Sequence, residues 1–198
     1  MRKGEATRLR ILEETVRQAA ARGLGAVSLA DVAEAAGLSK SGLFKHFESK
    51  EDMQMAVIEL VTSRFVDYVW RPIEAMPRGP EWLQAVFDRW LAWEEEWPGT
   101  GCPMNAFIAE LDDQPGPLRD FLWTRLQAFR TMAIGEIRQI TDPPLGEAEA
   151  RTAYFQLRSY VLGHSDASRM MGDADARRAA RAAFDALLER TVRPAAPA

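Results

Sequence analysis

This sequence is short of the residues that several classes of protein depend on. It has one cysteine, Cys102, in 198 residues, so no disulfide can form within the chain and burial alone must hold the fold. Its two histidines, His46 and His164, stand with that cysteine in no recognised ligand spacing, and no metal site is expected. No apolar run reaches the roughly 20 residues needed to span a bilayer. The start, Met1-Arg2-Lys3-Gly4-Glu5, passes directly into a charged amphipathic pattern without a signal-type stretch. A cytoplasmic chain with no membrane partner is therefore expected. No nucleophile elbow, phosphate loop or paired-acid motif is present, so the expectation carries no catalytic residue, no cofactor and no enzyme activity.

What the sequence does have is apolar content and an uneven charge. Hydrophobic residues make up 47% of it, enough for a packed core, and the net charge is −4. Residues 1–50 hold nine Lys/Arg against six Asp/Glu, while the remainder holds sixteen against twenty-three. A basic end can meet phosphate while an acidic body stays clear of it.

Apolar residues recur with a period near 3.6 and strand-like alternation is nearly absent, which predicts an all-α fold of about nine helices. A first helix is expected from about Ala6 to Ala21, stopped by Gly23 and Gly25. A second opens at Ser28, with Asp31 three residues on, and ends at Gly37. A short third runs from Ser39 to about Phe47, and a long fourth runs from Ser49-Lys50-Glu51-Asp52 to about Trp70, ahead of Pro72. Beyond Pro77-Arg78-Gly79-Pro80, helices are expected at about 81–97, 103–112, 117–140, 147–171 and 174–192, with turns such as Pro98-Gly99 and a frayed tail at 193–198. The domain expectation is a head at 1–50, a linking helix at about 51–72 and a helical body at 73–198.

Two short helices around Gly37-Leu38-Ser39 make a helix-turn-helix pattern. The glycine permits the tight turn and Ser39 caps the second helix, which would enter a major groove. Leu43 and Phe47 share one side and must pack inward, aiming Ser41 and Lys45 outward, with Gly42, Phe44 and His46 on the flanks and Lys40 in the first turn. The amide groups opening the fourth helix, with Lys50, offer a second phosphate site. On pattern alone, an ordinary three-helix bundle with a solvated polar face fits as well. The whole stretch, Val27-Ser28-Leu29-Ala30-Asp31-Val32-Ala33-Glu34-Ala35-Ala36-Gly37-Leu38-Ser39-Lys40-Ser41-Gly42-Leu43-Phe44-Lys45-His46-Phe47-Glu48-Ser49-Lys50-Glu51-Asp52, closely resembles the signature of TetR-type repressors. The resemblance implies a homodimeric repressor that binds a double-stranded DNA operator and a small-molecule inducer. It assigns DNA contacts to Ser28, Lys40, Ser41, Gly42, Phe44, Lys45, His46 and Lys50. Phe44 stands where the family commonly has tyrosine, so a phenolic hydroxyl to phosphate is missing.

In the body, Trp90, Trp93 and Trp97 lie in one apolar stripe with Glu94 inside it. The stripe fits two roles, a core face or a pocket wall for an aromatic or cationic ligand. Met104, Phe107, Leu126, Phe129 and Arg130 are the candidates for the opposite wall, with Arg130 facing Glu94, an acidic ligand or solvent. The last two helices are apolar over wide arcs, with small residues at Ala153, Gly163, Ala167, Ala176, Ala179, Ala180 and Ala183. The resemblance makes them the dimer interface; His164 falls in that region and reads as a satisfied structural histidine or as a group with a ligand or pH role. Cys102, in Gly101-Cys102-Pro103-Met104, reads as a small buried hydrophobe or as a redox-sensing thiol activated by helix amides. The alternatives that remain open are an interaction module built on the helical body and an electrophile-sensing regulator using Cys102.

Overall fold

The computed structural model describes residues 3–97 and 99–192. Pro98, of the expected Pro98-Gly99 turn, Met1-Arg2 and the expected tail at 193–198 lie outside the described residues. Among the described residues there are nine α-helices and one 3-10 turn: α1 (Lys3–Arg22), α2 (Leu29–Ala35), α3 (Lys40–Leu43), α4 (Lys50–Val69), the turn Arg71–Ile73, α5 (Pro80–Glu95), α6 (Pro103–Leu111), α7 (Pro117–Arg138), α8 (Glu147–Arg169) and α9 (Ala176–Val192). The all-α expectation holds, and the boundaries fall where the capping chemistry puts them. Ser28 accepts the Asp31 amide at 3.1 Å, and Pro80, Pro103 and Pro117 open their helices with a fixed φ and no amide to satisfy.

The third helix is shorter than its pattern suggested. Its α-helical part stops at Leu43, and the chain then turns through bonds from Lys45 N to Gly42 O and from His46 N to Leu43 O. These three-residue steps are tighter than an α-helix, and Gly42 in the middle of the segment weakens the α form.

The chain divides into two compact units. The first comprises Met1–Phe65 and Thr100–Leu126. Ile11, Leu24, Val27, Val32, Leu43, Phe47, Met53 and Val57 are buried in it, and the Thr15 hydroxyl, also buried, donates to the Ile11 carbonyl at 2.8 Å. The second unit comprises Val66–Gly99 and Gln127–Ala198, in which α5, α8 and α9 pack on one another. Its core includes Phe87 stacked on Phe184, with ring centres 4.2 Å apart and planes 7° from parallel. Arg181 of α9 pairs with Asp88 of α5, and Arg177 with Glu95 at 2.7 Å, at the margins of that packing.

Candidate nucleic-acid interface and helical body

The head is built around a turn that only glycine adopts comfortably. Gly37 has φ +64°, in the left-handed region, and redirects the chain from α2 into α3. Ser39 then caps α3, its Oγ accepting the Gly42 amide at 3.1 Å and lying 3.0 Å from the Ser41 hydroxyl. Leu43 and Phe47 are buried, with the Arg8 guanidinium 4.8 Å above the Phe47 ring. Lys40, Ser41, Phe44 and Lys45 are exposed, and Ser28, Gly42, His46 and Lys50 are half-buried. Phe44, 43% exposed, is a large apolar ring held in solvent. The inward and outward sides of α3 are therefore those that the helical wheel assigns.

The loop between α1 and α2 is held by groups that sequence reasoning missed. Glu110 of α6 accepts the Leu24 amide at 2.6 Å and the Gly25 amide at 2.5 Å. From α4, Gln54 Nε2 donates to the Leu24 carbonyl at 3.0 Å and Lys50 Nζ to the Gly25 carbonyl at 2.6 Å. Both peptide groups are satisfied on both sides. Gly25 makes room for this, because a Cβ there would lie 2.6 Å from Glu110 Oε1. Gly23 and Gly25 read in sequence only as a helix stop. Nothing local to the loop points to a carboxylate 85 residues away, and Lys50, expected at phosphate, has one of its donors engaged here.

Comparison with known proteins bears on this arrangement. Residues 11–57 match the family model described as bacterial regulatory proteins, tetR family, and residues 79–184 match the tetracyclin repressor-like C-terminal domain. The chain belongs to the tetR family. It is a TetR-family transcriptional regulator. Among solved structures it is similar to a TetR transcriptional regulator from Chloroflexus aurantiacus, with 22% identity, 98% of this chain and 100% of that one covered, and a TM-score of 0.77. It is also similar to the TetR-family regulator SCO4454 of Streptomyces coelicolor, with 19% identity, 94% and 96% coverage and a TM-score of 0.80. A third similar structure is AibR in complex with isovaleryl coenzyme A and operator DNA, with 18% identity, 93% and 97% coverage and a TM-score of 0.70. No curated protein matches significantly.

The body of this TetR-family chain puts the candidate wall residues in two places. Met104, Phe107 and Leu126 belong to the first compact unit, and Trp90, Trp93, Glu94, Trp97, Phe129 and Arg130 to the second. Within the second unit Trp90 meets Phe129 edge-on at 5.8 Å, and both meet Trp70, at 6.3 and 5.3 Å. Trp82 adds a further ring 6.4 Å from Trp70. Trp93 packs instead with Tyr68 at 5.6 Å and with Trp97 at 5.4 Å. Trp70 and Trp82 were not among the candidates, because they come from the end of α4 and the start of α5, away from the stripe that singled out the others.

At the C-terminal end of α5 and of α8 there is a small cavity of about 170 Å³ lined by Glu94, Trp97, His164, Ser165 and Ser168. Glu94 and His164 are each only 4% exposed. His164 Nε2 lies 3.4 Å from Glu95 Oε1. Burial pushes the imidazole below the ordinary histidine pKa, with Glu95 opposing the shift and Arg177 adding to it, so the ring is neutral near pH 7. Its buried Nδ1 and the buried Nε1 of Trp97 have no hydrogen-bond partner among the described residues. The pair offers one acceptor and one donor to whatever enters. Cys102 is buried at the N-cap of α6. Among the described residues no three His, Cys, Asp or Glu side chains group as a metal site, and no helix is long and apolar enough to cross a membrane.

Proposed function

We propose that this regulator is a homodimeric repressor released from a pseudo-palindromic operator by a small-molecule inducer. The observation that carries the DNA half is the polarity of α3 and the turn after it. Leu43 and Phe47 are sunk in the core while Lys40, Ser41, Phe44 and Lys45 stand in solvent. Lys45 and Ser41 suit base edges and phosphate, with Lys40, Gly42 and His46 beside them and Ser28 and Lys50 at the flanking helix ends. Phe44, lacking the hydroxyl, suits a thymine methyl.

The inducer half rests on the body's unsatisfied polar atoms. A buried imidazole nitrogen and a buried indole N–H without partners are expensive unless water or a ligand meets them. They belong to Trp97 and His164, which line the small cavity together with Glu94. The structure of AibR with isovaleryl coenzyme A and operator DNA supplies a precedent for both partners on this fold. Burial of Cys102 supports reading it as a packed side chain. For the dimer, α8 exposes Phe155 at 71% and Leu162 beside Gly163, on the face opposite buried Leu157 and Val161, and α9 exposes Ala179. Two recognition segments related by a two-fold axis then meet half-sites one or more helical turns apart.

The test begins with selection of bound fragments from the source genome, which yields the operator. Phe155→Glu should give a monomer by sedimentation and lose operator binding, and a variant that stays dimeric refutes this interface. With an inducer in hand, a hundredfold release requires about 2.7 kcal/mol of differential binding, and operator must weaken the inducer by the same factor. Equal inducer affinity with and without saturating operator refutes the coupling.

A further inference from the structure

The second compact unit also contains a cleft that the DNA and inducer readings leave unused. It lies between α7 and the start of α8, has a volume of about 360 Å³, and is rimmed by Gln127, Arg130, Thr131, Arg138, Glu147 and Arg151. Three guanidiniums therefore share it with one carboxylate, and that carboxylate is already bound. Glu147 accepts from Arg151 Nε at 3.0 Å and Nη2 at 2.6 Å. Arg138 donates through Nε to the neutral carbonyl of Leu145 at 3.2 Å. Arg130 makes no hydrogen bond or ion pair with any described residue, and neither does Arg158, two turns beyond Arg151 on α8. One carboxylate among three guanidiniums leaves an excess of positive charge, and an anion between them relieves the repulsion.

Two further observations concern the space itself. Gly135, which lines the cleft, sits inside α7, where glycine costs about 1 kcal/mol relative to alanine. A Cβ on it would meet nothing within 4 Å, so no neighbour in the chain requires the gap. Within the field of Arg130 and Arg158, the Tyr154 ring is buried, and its hydroxyl, which is not itself fully buried, makes no hydrogen bond with a described residue. Burial raises its pKa while Arg158 and Arg130 act in the opposite direction, so the phenol stays a neutral donor within the field of both.

We propose that this α7–α8 cleft is an anion site for a phosphate-bearing small molecule, gripped by Arg130, Arg138 and Arg151 and admitted by the missing side chain at Gly135. A dianion matches the excess of two positive charges, and the planar guanidinium fork suits phosphate oxygens in pairs. The volume suits a small molecule rather than a macromolecular surface. The site is distinct from the Trp97–His164 cavity and does not depend on inducer release.

The experiment titrates the full chain, free of DNA, with inorganic pyrophosphate at low ionic strength in a calorimeter, with acetate in parallel. Saturable binding of pyrophosphate is expected, without comparable binding of acetate. Arg130→Gln and Gly135→Leu should each weaken pyrophosphate by about tenfold or more. Arg119→Gln removes the same charge outside the cleft and should leave the affinity unchanged. Gly135→Leu should not lower the melting temperature, since it replaces a helix-interior glycine. Absent heat, acetate binding as strong as pyrophosphate, or equal losses in Arg119→Gln and Arg130→Gln would overturn the assignment. So would conversion of the dimer to monomer by Arg130→Gln, which would place these arginines against a second copy.

Discussion

The head and the body treat their buried polar groups in opposite ways. In the head, Thr15 returns its hydroxyl to Ile11, Gln54 donates to Leu24, and both peptide groups of Leu24 and Gly25 are bonded on each side. In the body, His164 Nδ1 and the indole nitrogens of Trp82 and Trp97 are buried without partners among the described residues. A segment that must present one fixed surface to DNA gains from complete satisfaction, because each bond narrows the geometries available. A segment that must accept a ligand gains from leaving donors and acceptors for that ligand to meet.

The largest expected effect tests whether the two regions are separately stable. Leu43→Ala should cost the head about 2–5 kcal/mol and Phe184→Ala should cost the body about 3–5 kcal/mol. Chemical denaturation followed by both tryptophan fluorescence and circular dichroism reads this. Five of the six tryptophans lie in the second compact unit and only Trp123 in the unit that holds the head, so fluorescence reports mainly on the second. A loss that shifts circular dichroism but not fluorescence in Leu43→Ala would sharpen the division, and a shared transition in both variants would break it.

Next in size is the clasp on the α1–α2 loop. Glu110→Ala leaves two amides without their charged acceptor and should cost about 1–3 kcal/mol, lowering operator affinity with it. Glu110→Gln, which keeps one acceptor oxygen, should recover part of both. If neither variant changes operator binding, complete satisfaction of the head has no bearing on DNA recognition. A smaller effect is expected for Lys45→Ala, about 1 kcal/mol in operator affinity, with the salt dependence flattened by about one phosphate contact if the ammonium sits on the backbone. Fluorescence anisotropy across a salt series measures both quantities.

The smallest effect belongs to the body. The unfolded chain protonates His164 as pH falls through about 6.5, whereas the folded chain, whose imidazole is held below its ordinary value, resists until lower pH. Stability from the neutral buried ring is therefore complete above about pH 6.5 and is lost as pH falls from there toward the folded value. His164→Gln should melt with less difference between about pH 7.5 and about pH 5.5 than the parent. An unchanged difference would mean that the ring is not the body's acid-sensitive group.

The helix-turn-helix was legible because its signals are local. Ser28, Gly37 and Ser39 each act within three residues, and the inward Leu43 and Phe47 follow from helical spacing alone. The clasp was not legible because its parts, Leu24 and Gly25 of the α1–α2 loop, Lys50 and Gln54 of α4, and Glu110 of α6, meet only when the loop and two separate helices are placed. The tryptophan stripe lies between these cases. Spacing identifies Trp90, Trp93 and Trp97 as one face, but Trp90 turns to Trp70 and Phe129 while Trp93 turns to Tyr68 and Trp97.

Sequence alone settled the helical class, the Ser28 and Ser39 caps and the glycine and proline breaks, though not where α3 ends, and which side of α3 faces outward, since each depends on residues within a turn or two of one another. Tertiary structure decided which polar groups find partners. Glu110 reaches its amides, Glu94 is buried, Arg130 shares a cleft with Arg138 and Arg151, and His164 is held neutral, all through neighbours brought from far along the chain. Hydrogen bonding and pKa depend on distances of a few ångströms, and periodicity carries no information on that scale between elements.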